Sequence, residues 1–217
     1  EAGIPIAGPR LREDVERAVD EIVRMQREAG VDVVSDGEQG KISYSTYVKD
    51  RLTGFEGQSR SPGGGGSRDM TEHPEWAKRW LEMMGRAGLK RPACNGPIEV
   101  RDPDAVHRDI KALKAAAGEG GRLFMSAASP GVIAVFFAND HYPSHEEFVG
   151  ALGAAMSHEY RAIAEAGITL QVDCPDLAMS RHNAFADKSV DEFRRALRVN
   201  IAALNSALRG IPPEQVR

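Results

Sequence analysis

The chain has 217 residues, of which 41% are hydrophobic and 28% charged, a composition typical of a globular protein with one sizeable core. Its net charge of −4 and isoelectric point of about 5.9 predict that nucleic acid is not a partner, because no basic excess is present to neutralise phosphates. No signal peptide is recognisable, and no apolar run reaches the roughly 18 residues of a membrane-spanning helix. Two cysteines, Cys94 and Cys174, are too few for a disulfide framework and predict a reducing, cytoplasmic location.

The first predicted element is an amphipathic helix over residues 10–30. Val15, Val19 and Ile22 recur at three- to four-residue spacing, with charged residues between them. Gly30 stands where a helix commonly ends in a left-handed residue. The run VDVV follows at once, so the sequence predicts a helix, a tight turn and a strand.

The same unit recurs further along the chain. Residues 154–173 give a second helix, which ends at Glu165-Ala166-Gly167 and is followed by ITLQVD. A looser copy covers residues 104–126, where RLFMS follows a helical stretch. Repeated helix–loop–strand units with largely apolar strands indicate an α/β protein with a parallel sheet.

Three further segments carry weaker signals. A strand interrupted by Asn95-Gly96-Pro97 is predicted within 91–100, and residues 132–138 fit either a strand or a helix. Residues 189–208 predict a helix that begins with a capping box between Ser189 and Glu192.

Residues 57–68, GQSRSPGGGGSR, predict a flexible surface loop. A phosphate-binding loop is disfavoured, because the Gly-Lys-Ser/Thr ending is missing. Trp76 and Trp80 follow on a short amphipathic helix, where four-residue spacing favours packing over base stacking.

Candidate site residues follow the predicted strands. Parallel α/β folds bind ligands beyond the carboxyl ends of their strands, which is where Asp36, Ser126 and Asp173 fall. The pair Asp36 and Glu38 fits a site for a cationic or amino group, and it fits a polar turn with a helix cap equally well.

The segment DCPD, residues 173–176, contains the most closely spaced candidate site residues. Asp173 and Asp176 flank Pro175, and two close carboxylates repel, which raises the pKa of one of them and suits ligand or proton handling; a helix cap is the alternative. For Cys174, a small apolar residue at a barrel rim is favoured over a metal ligand or nucleophile. His182, in the same loop, fits either a hydrogen-bonding or acid–base role or a surface position.

Two segments together resemble the C-terminal catalytic barrel of the cobalamin-independent methionine synthases. VVSDGEQGK at 33–41, followed by Tyr47, resembles their Gly-Glu-x-x-Arg…Tyr segment. LQVDCPDLA at 170–178 resembles their Gln-Ile-Asp-Glu-Pro-Ala-Leu segment, and shorter members of the methionine synthase/uroporphyrinogen decarboxylase-like superfamily often carry Asp-x-Pro-Asp there. The order and spacing extend the resemblance over most of residues 10–217.

The resemblance implies a (β/α)8 TIM barrel and a methyltransferase of methionine biosynthesis. Such an enzyme moves a methyl group from 5-methyltetrahydrofolate, with its polyglutamate tail, to the zinc-activated thiol of homocysteine. Glu38 and Asp173 correspond to the residues that hold the amino-acid substrate in the family. The other predicted substrate-binding residues are Asp36, Asp176, Ser126, Tyr47 and His182.

The chain also departs from the family pattern. Cys174 stands where methionine synthases usually have Glu, and Lys41 stands where they have Arg. The family's zinc ligands, a His-x-Cys pair followed by a glutamate and a cysteine, are expected beyond Arg217. By resemblance no zinc ligand therefore lies within the chain, and Cys174 is the one remaining metal candidate.

The first strand of the family, with its Gly-Ser-Phe/Tyr-Pro motif, does not precede Glu1. Residues 1–217 are therefore predicted to form a single partial barrel domain that lacks the first and last strands, with about five of the eight strands present. Exposed strand edges predict self-association, incomplete folding or association with missing segments, and the chain alone is expected to be inactive.

Three other functions stay open at this point. A related zinc-dependent enzyme could alkylate another thiol, such as coenzyme M. A metal-free barrel of the uroporphyrinogen decarboxylase type would need arginines at the pocket mouth, and few are placed there. The third alternative is an inactive fragment that keeps the scaffold of the barrel. All the enzymatic readings have small molecules as partners and none involves a membrane.

Overall fold

A computed structural model of the chain describes residues 8–59, 68–83 and 92–217. The α-helices in this part are α1 Gly8–Glu28, α2 Val48–Arg51, α3 Arg68–Glu72, α4 Pro74–Met83, α5 Ala105–Ala117, α6 Pro130–Phe136, α7 His145–Glu165, α8 Asp176–Met179 and α9 Val190–Ala207. The strands are β1 Val33–Val34, β2 Gly57–Gln58, β3 Pro92–Cys94, β4 Arg122–Ala128, β5 Ala138–Asn139 and β6 Thr169–Asp173. Short 3-10 helices cover Ser180–His182 and Pro213–Gln215.

The main sheet is parallel, with strand order β1-β4-β6. Val33 pairs with Arg122, and β4 pairs with β6 from Phe124↔Thr169 to Ala128↔Asp173. Val216 forms a further parallel bridge to Leu170, on β6. The predicted alternation of helix and parallel strand is therefore confirmed for the units that end in β1, β4 and β6.

A second, smaller sheet has the order β2-β3-β5. In it β3 is antiparallel to β2 and parallel to β5, so the predicted strand within 91–100 lies outside the main sheet. The ambiguous run 132–138 is mostly helix: Ser129 caps α6 by accepting the backbone N–H of Val132, and Pro130 occupies the first turn. The strand β5 begins only at Ala138.

The long helices form one layer in the order of the strands. α1 packs against α5, α5 against α7, and α7 against α9. The fully buried side chains at the centre of this packing include Tyr160, Met156, Leu152, Ile163 and Leu170. A contiguous helical layer outside a parallel sheet is the arrangement found in the wall of a (β/α) barrel.

The predicted helix ends are confirmed. Gly30 and Gly167 have φ values of 81° and 73°, the left-handed conformation that ends α1 and α7. The capping box of α9 is present, with both Ser189 and Glu192 bonding to the other's backbone. The flexible loop predicted at 57–68 lies largely outside the described residues. In the part of the chain that the structure covers, no helix is long and apolar enough to cross a membrane.

A buried ionic network joins α2 to the helical layer. The Arg51 guanidinium lies 2.5 Å from Asp109 on α5 and 3.0 Å from Glu159 on α7. The Tyr47 hydroxyl donates to Glu159 at 2.5 Å and accepts from the backbone N–H of Ala128 at 3.3 Å. This network therefore fixes the segment after β1 to the end of β4.

We expect Arg51→Leu to lower the free energy of unfolding by about 3–5 kcal/mol, because it leaves two buried carboxylates without a cation. Urea unfolding at pH 7 measures the change. Arg24→Leu is the matched control: Arg24 forms an exposed pair with Glu28, and its loss should change stability by less than about 0.5 kcal/mol. Equal effects of the two substitutions would contradict a structural role for the buried network.

Candidate functional site

An open depression lies at the carboxyl end of β6, with a volume of about 590 Å³. We call it the Asp173 depression. It is lined by Tyr44, Gln171, Val172, Asp173, Cys174, Pro175 and Arg217. Two of the predicted site residues, Asp173 and Cys174, therefore line it directly.

Glu38 adopts a backbone conformation that is unfavourable for its residue type. Its φ is 57°, in the left-handed region, where a residue with a Cβ costs roughly 1 kcal/mol or more. The turn is held by its backbone N–H, which donates to Asp36 Oδ1 at 3.1 Å. The Ser126 side chain, on β4, is near enough to the Glu38 carboxylate to favour its ionised form. Such strain is typical of positions where function constrains the backbone.

Three carboxylates interact electrostatically across the strand ends. Burial raises the pKa of Glu38, and the charges of Asp173 and Asp36 raise it further, while Lys41 opposes them. Lys41 is held by the backbone carbonyl of Ser126 and lies 4.7 Å above the ring of Tyr47. The three acids outnumber the two nearby cations, Lys41 and the Arg217 guanidinium that lines the depression, so the site carries net negative charge and favours a cationic or amino group.

Gln171 connects these side chains. Its Nε2 donates to Ser126 Oγ at 3.3 Å and to Asp173 Oδ1 at 3.2 Å. Sequence reasoning missed Gln171, although the two-residue period of a strand places it on the same face as Asp173. The structure therefore joins Ser126 and Asp173 through one bridging amide, and it places Glu38 close enough to both for its pKa to respond to them.

Tyr44 was also missed, because the resemblance draws attention to Tyr47. The Tyr44 ring lines the Asp173 depression and meets Phe136 edge-on, with ring centroids 5.6 Å apart. Burial raises the pKa of Tyr44, and so do the charges of Asp173 and Glu38. Tyr47, by contrast, is 3% exposed, so the structure places it inside the buried ionic network, where its hydroxyl is already bonded.

Asp176 faces a different environment from Asp173. Its two oxygens accept hydrogen bonds from Ser129 Oγ at 3.0 Å and Asn200 Nδ2 at 2.9 Å. It lines a larger cavity of about 970 Å³ between α6 and α9, outside the Asp173 depression. Because the Ser129 backbone N–H also donates to the Asp173 carbonyl at 3.1 Å, Asp176 and Ser129 together brace the end of β6.

Cys174 and His182 each fit one of the alternatives that the sequence left open. The Cys174 thiol is half-buried and donates to the carbonyl of Val172 at 3.5 Å. Burial raises its pKa, the Ser129 side chain opposes that rise, and the charges of Asp176 and Asp173 add to it, so the thiol is a poor nucleophile. His182 is exposed and is not part of the Asp173 depression.

The described residues do not fit a zinc ion. Within residues 8–59, 68–83 and 92–217, no three His, Cys, Asp or Glu side chains are grouped to hold a metal. The oxygens of Asp176 are engaged by Ser129 and Asn200. The geometry therefore gives no support to Cys174 as a metal ligand.

A substitution at Gly131 tests the packing around Asp176, whose carboxylate is hydrogen bonded to Ser129 and Asn200. A Cβ at Gly131 would lie 2.0 Å from Asp176 Oδ2 and 2.7 Å from Asn200 Nδ2. We expect Gly131→Ala to lower the free energy of unfolding by about 1–3 kcal/mol through overpacking. Gly150→Ala, in α7, meets no atom within 4 Å and should stabilise the helix by up to about 1 kcal/mol. Thermal unfolding of both variants measures the two changes in stability. An unchanged stability of Gly131→Ala would show that Asp176 and Asn200 move aside at little cost.

Glu38→Gln should stabilise the protein at pH 7. The folded-state pKa of Glu38 is raised, so ionising this carboxyl is less favourable in the folded chain than in the unfolded chain. That penalty is present above the raised pKa and disappears as the pH falls below about 4.5, the ordinary value. Urea midpoints of both proteins from pH 3.5 to 8 should therefore diverge with rising pH. A constant difference across the range would contradict the shift.

The chain is similar to known proteins both in sequence and in structure. No family model matches the chain. It is 24% identical over 210 residues to the methionine synthase of Saccharolobus solfataricus and 21% identical over 201 residues to that of Sulfolobus acidocaldarius. These alignments cover 94% and 90% of the chain, and 53% of each relative. The chain thus spans about half the length of the curated relatives it matches.

The fold is also found in a solved structure. A B12-independent methionine synthase from Shewanella sp. W3-18-1, solved in complex with selenomethionine, superposes with a TM-score of 0.68 at 22% identity. The superposition covers 94% of this chain and 51% of the other. The chain is therefore similar in sequence to curated methionine synthases and in fold to about half of a B12-independent methionine synthase, and the resemblance predicted from its two motifs is confirmed.

Proposed function

We propose that the chain is part of a cobalamin-independent methyltransferase that methylates the thiol of homocysteine, with 5-methyltetrahydrofolate as donor. The observation that carries the proposal is the acidic group formed by Asp36, Glu38 and Asp173 around Ser126, at the carboxyl ends of parallel strands. It occurs in a homologue of the methionine synthases, at the two segments where the resemblance is found.

The geometry supports recognition of an amino acid. An ammonium group gains charge-assisted hydrogen bonds from fixed carboxylates in a partly desolvated site. Glu38 and Asp173 supply these acceptors, and the half-exposed Tyr44 ring supplies an apolar wall beside them. The substrate class that follows is a thiol carrying an α-amino group, with its ammonium between the two acids.

The transfer itself needs a thiolate. Its sulfur attacks the methyl carbon, the bond from that carbon to the folate nitrogen breaks, and the nitrogen takes up a proton. Zinc and the folate donor are predictions that rest on the resemblance alone. We assign no step to zinc, because the described residues form no cluster that fits it.

The proposal also includes a barrel architecture. The main sheet with its outer helical layer is the wall of a (β/α)8 barrel, of which residues 1–217 are one partial domain. Self-association through open strand edges and a cytoplasmic location stay predictions. Inactivity of the chain alone likewise stays a prediction, since the chain spans about half the length of its curated relatives.

Binding calorimetry with two thiols tests the amino-acid site. Homocysteine and 4-mercaptobutanoate differ only by the α-amino group, and we expect the chain to bind homocysteine at least about tenfold more tightly. Asp173→Asn should remove most of this difference, because it removes the fixed negative charge.

Asp191→Asn is the control, since the Asp191 side chain is 80% exposed on α9, away from the depression. It should leave the preference for homocysteine unchanged. Equal binding of the two thiols by the native chain would contradict an amino-acid site and favour an acceptor without an amino group. Transfer of a labelled methyl group from 5-methyltetrahydrofolate, with zinc supplied, then tests whether the chain is active alone.

A further inference from the structure

Gln171 occupies the centre of a hydrogen-bonded chain that crosses the sheet. It pairs in register with Ser126 on β4, and its Nε2 donates to both Ser126 Oγ and Asp173 Oδ1. Its Oε1 accepts from Arg217 twice, from Nε at 2.9 Å and from Nη2 at 2.8 Å. The four hydrogen bonds of this amide are therefore made to Ser126 on β4, to Asp173 on β6 itself and, twice, to Arg217 next to the bridge beside β6.

The partners of Gln171 permit one orientation of the amide. Turning it over would set Oε1 against the Asp173 carboxylate and would set the amide hydrogens against the Arg217 guanidinium, so acceptor would face acceptor and donor would face donor. Arg217 is itself held, because its guanidinium stacks 4.1 Å above the ring of Phe124. The amide hydrogens are therefore fixed toward Asp173.

The Asp173 carboxylate is held at one oxygen only. Gln171 bonds to Oδ1, and within the described parts of the chain no other side chain hydrogen bonds to this carboxylate. Its oxygen Oδ2 is thus left for a ligand in the Asp173 depression. A carboxylate fixed in this way loses less rotamer freedom on binding than a free one, which strengthens the contact.

We propose that Gln171 is a positioning residue that orients the Asp173 carboxylate toward the amino group of the substrate, with Arg217 fixing the amide. The inference deepens the proposed function and rests on it. It assigns Gln171 no contact with the reacting atoms. It assigns the preference for amino thiols to a hydrogen-bonded chain from Arg217 through Gln171 to Asp173.

Gln171→Met tests the role, because Met keeps the length of the side chain and removes both polar atoms. We expect homocysteine to bind about tenfold more weakly, the loss typical of one hydrogen bond to a charged group, with 4-mercaptobutanoate changed by less than about twofold. A merely structural role would weaken the two thiols alike. Urea midpoints of each variant report whether the fold is kept.

A double-mutant cycle sharpens the test. In an Asp173→Asn background, Gln171→Met should have almost no further effect on homocysteine binding, because the carboxylate on which it acts is gone. Arg217→Met is the second variant, at an exposed position, and should weaken homocysteine selectively by about threefold by freeing the amide. It keeps the inference testable if Gln171→Met does not fold.

The outcomes distinguish the positioning role of Gln171 from the proposed amino-acid site. A native chain that prefers homocysteine, and loses the preference with Asp173→Asn but keeps it with Gln171→Met and Arg217→Met, would overturn the inference alone. Equal binding of the two thiols by the native chain would overturn the proposed function, and the inference with it. Selective loss of homocysteine binding in the Gln171 and Arg217 variants, coupled to Asp173, would establish the positioning role.

Discussion

The parallel register between β4 and β6 is the constraint on which the site depends. It sets Ser126 beside Gln171 and Ala128 beside Asp173, so that the polar ends of both strands emerge at one edge of the sheet. Parallel strands need a crossover, and α7 supplies it while packing its buried face over both strands. A shift of one residue in this register would turn Gln171 and Asp173 to the opposite face and separate them from Ser126. The packing of α7 over β4 and β6 therefore also determines the geometry of the acids.

Two polar systems hold this edge from different sides. The network of Arg51, Asp109 and Glu159 ties the segment after β1 to the helical layer, and it engages the end of β4 through Tyr47. The brace of Asp176 and Ser129 ties the end of β6 to α6. Buried carboxylates are unfavourable unless they are paired, and each of these acids has its partners. The site acids between the two systems are less completely satisfied, which is what ligand binding requires.

Sequence patterns were sufficient for the long helices, for the strands of the main sheet and for the positions of Glu38 and Asp173 after strands, because these depend on local periodicity and order along the chain. They were insufficient where tertiary contacts decide. Nothing local shows that Pro92–Cys94 leaves the main sheet, or that Asp176 turns to Asn200, a residue 24 positions away. The two tyrosines show the same limit: Tyr44 and Tyr47 are three residues apart, and only packing against Glu159 or Phe136 tells the buried one from the one beside the site.

The raised pKa of Cys174 bears on the proposed reaction, in which a substrate thiol accepts a methyl group. A cysteine thiolate within the Asp173 depression would compete with that substrate for the methyl group. Burial and the two neighbouring aspartates keep this sulfur protonated, and its hydrogen is directed to the Val172 carbonyl. Burial is the largest cause of this shift, and the aspartates that would attract an ammonium group add to it, so in the proposed reaction the protein's own thiol is a weak competitor for the methyl group.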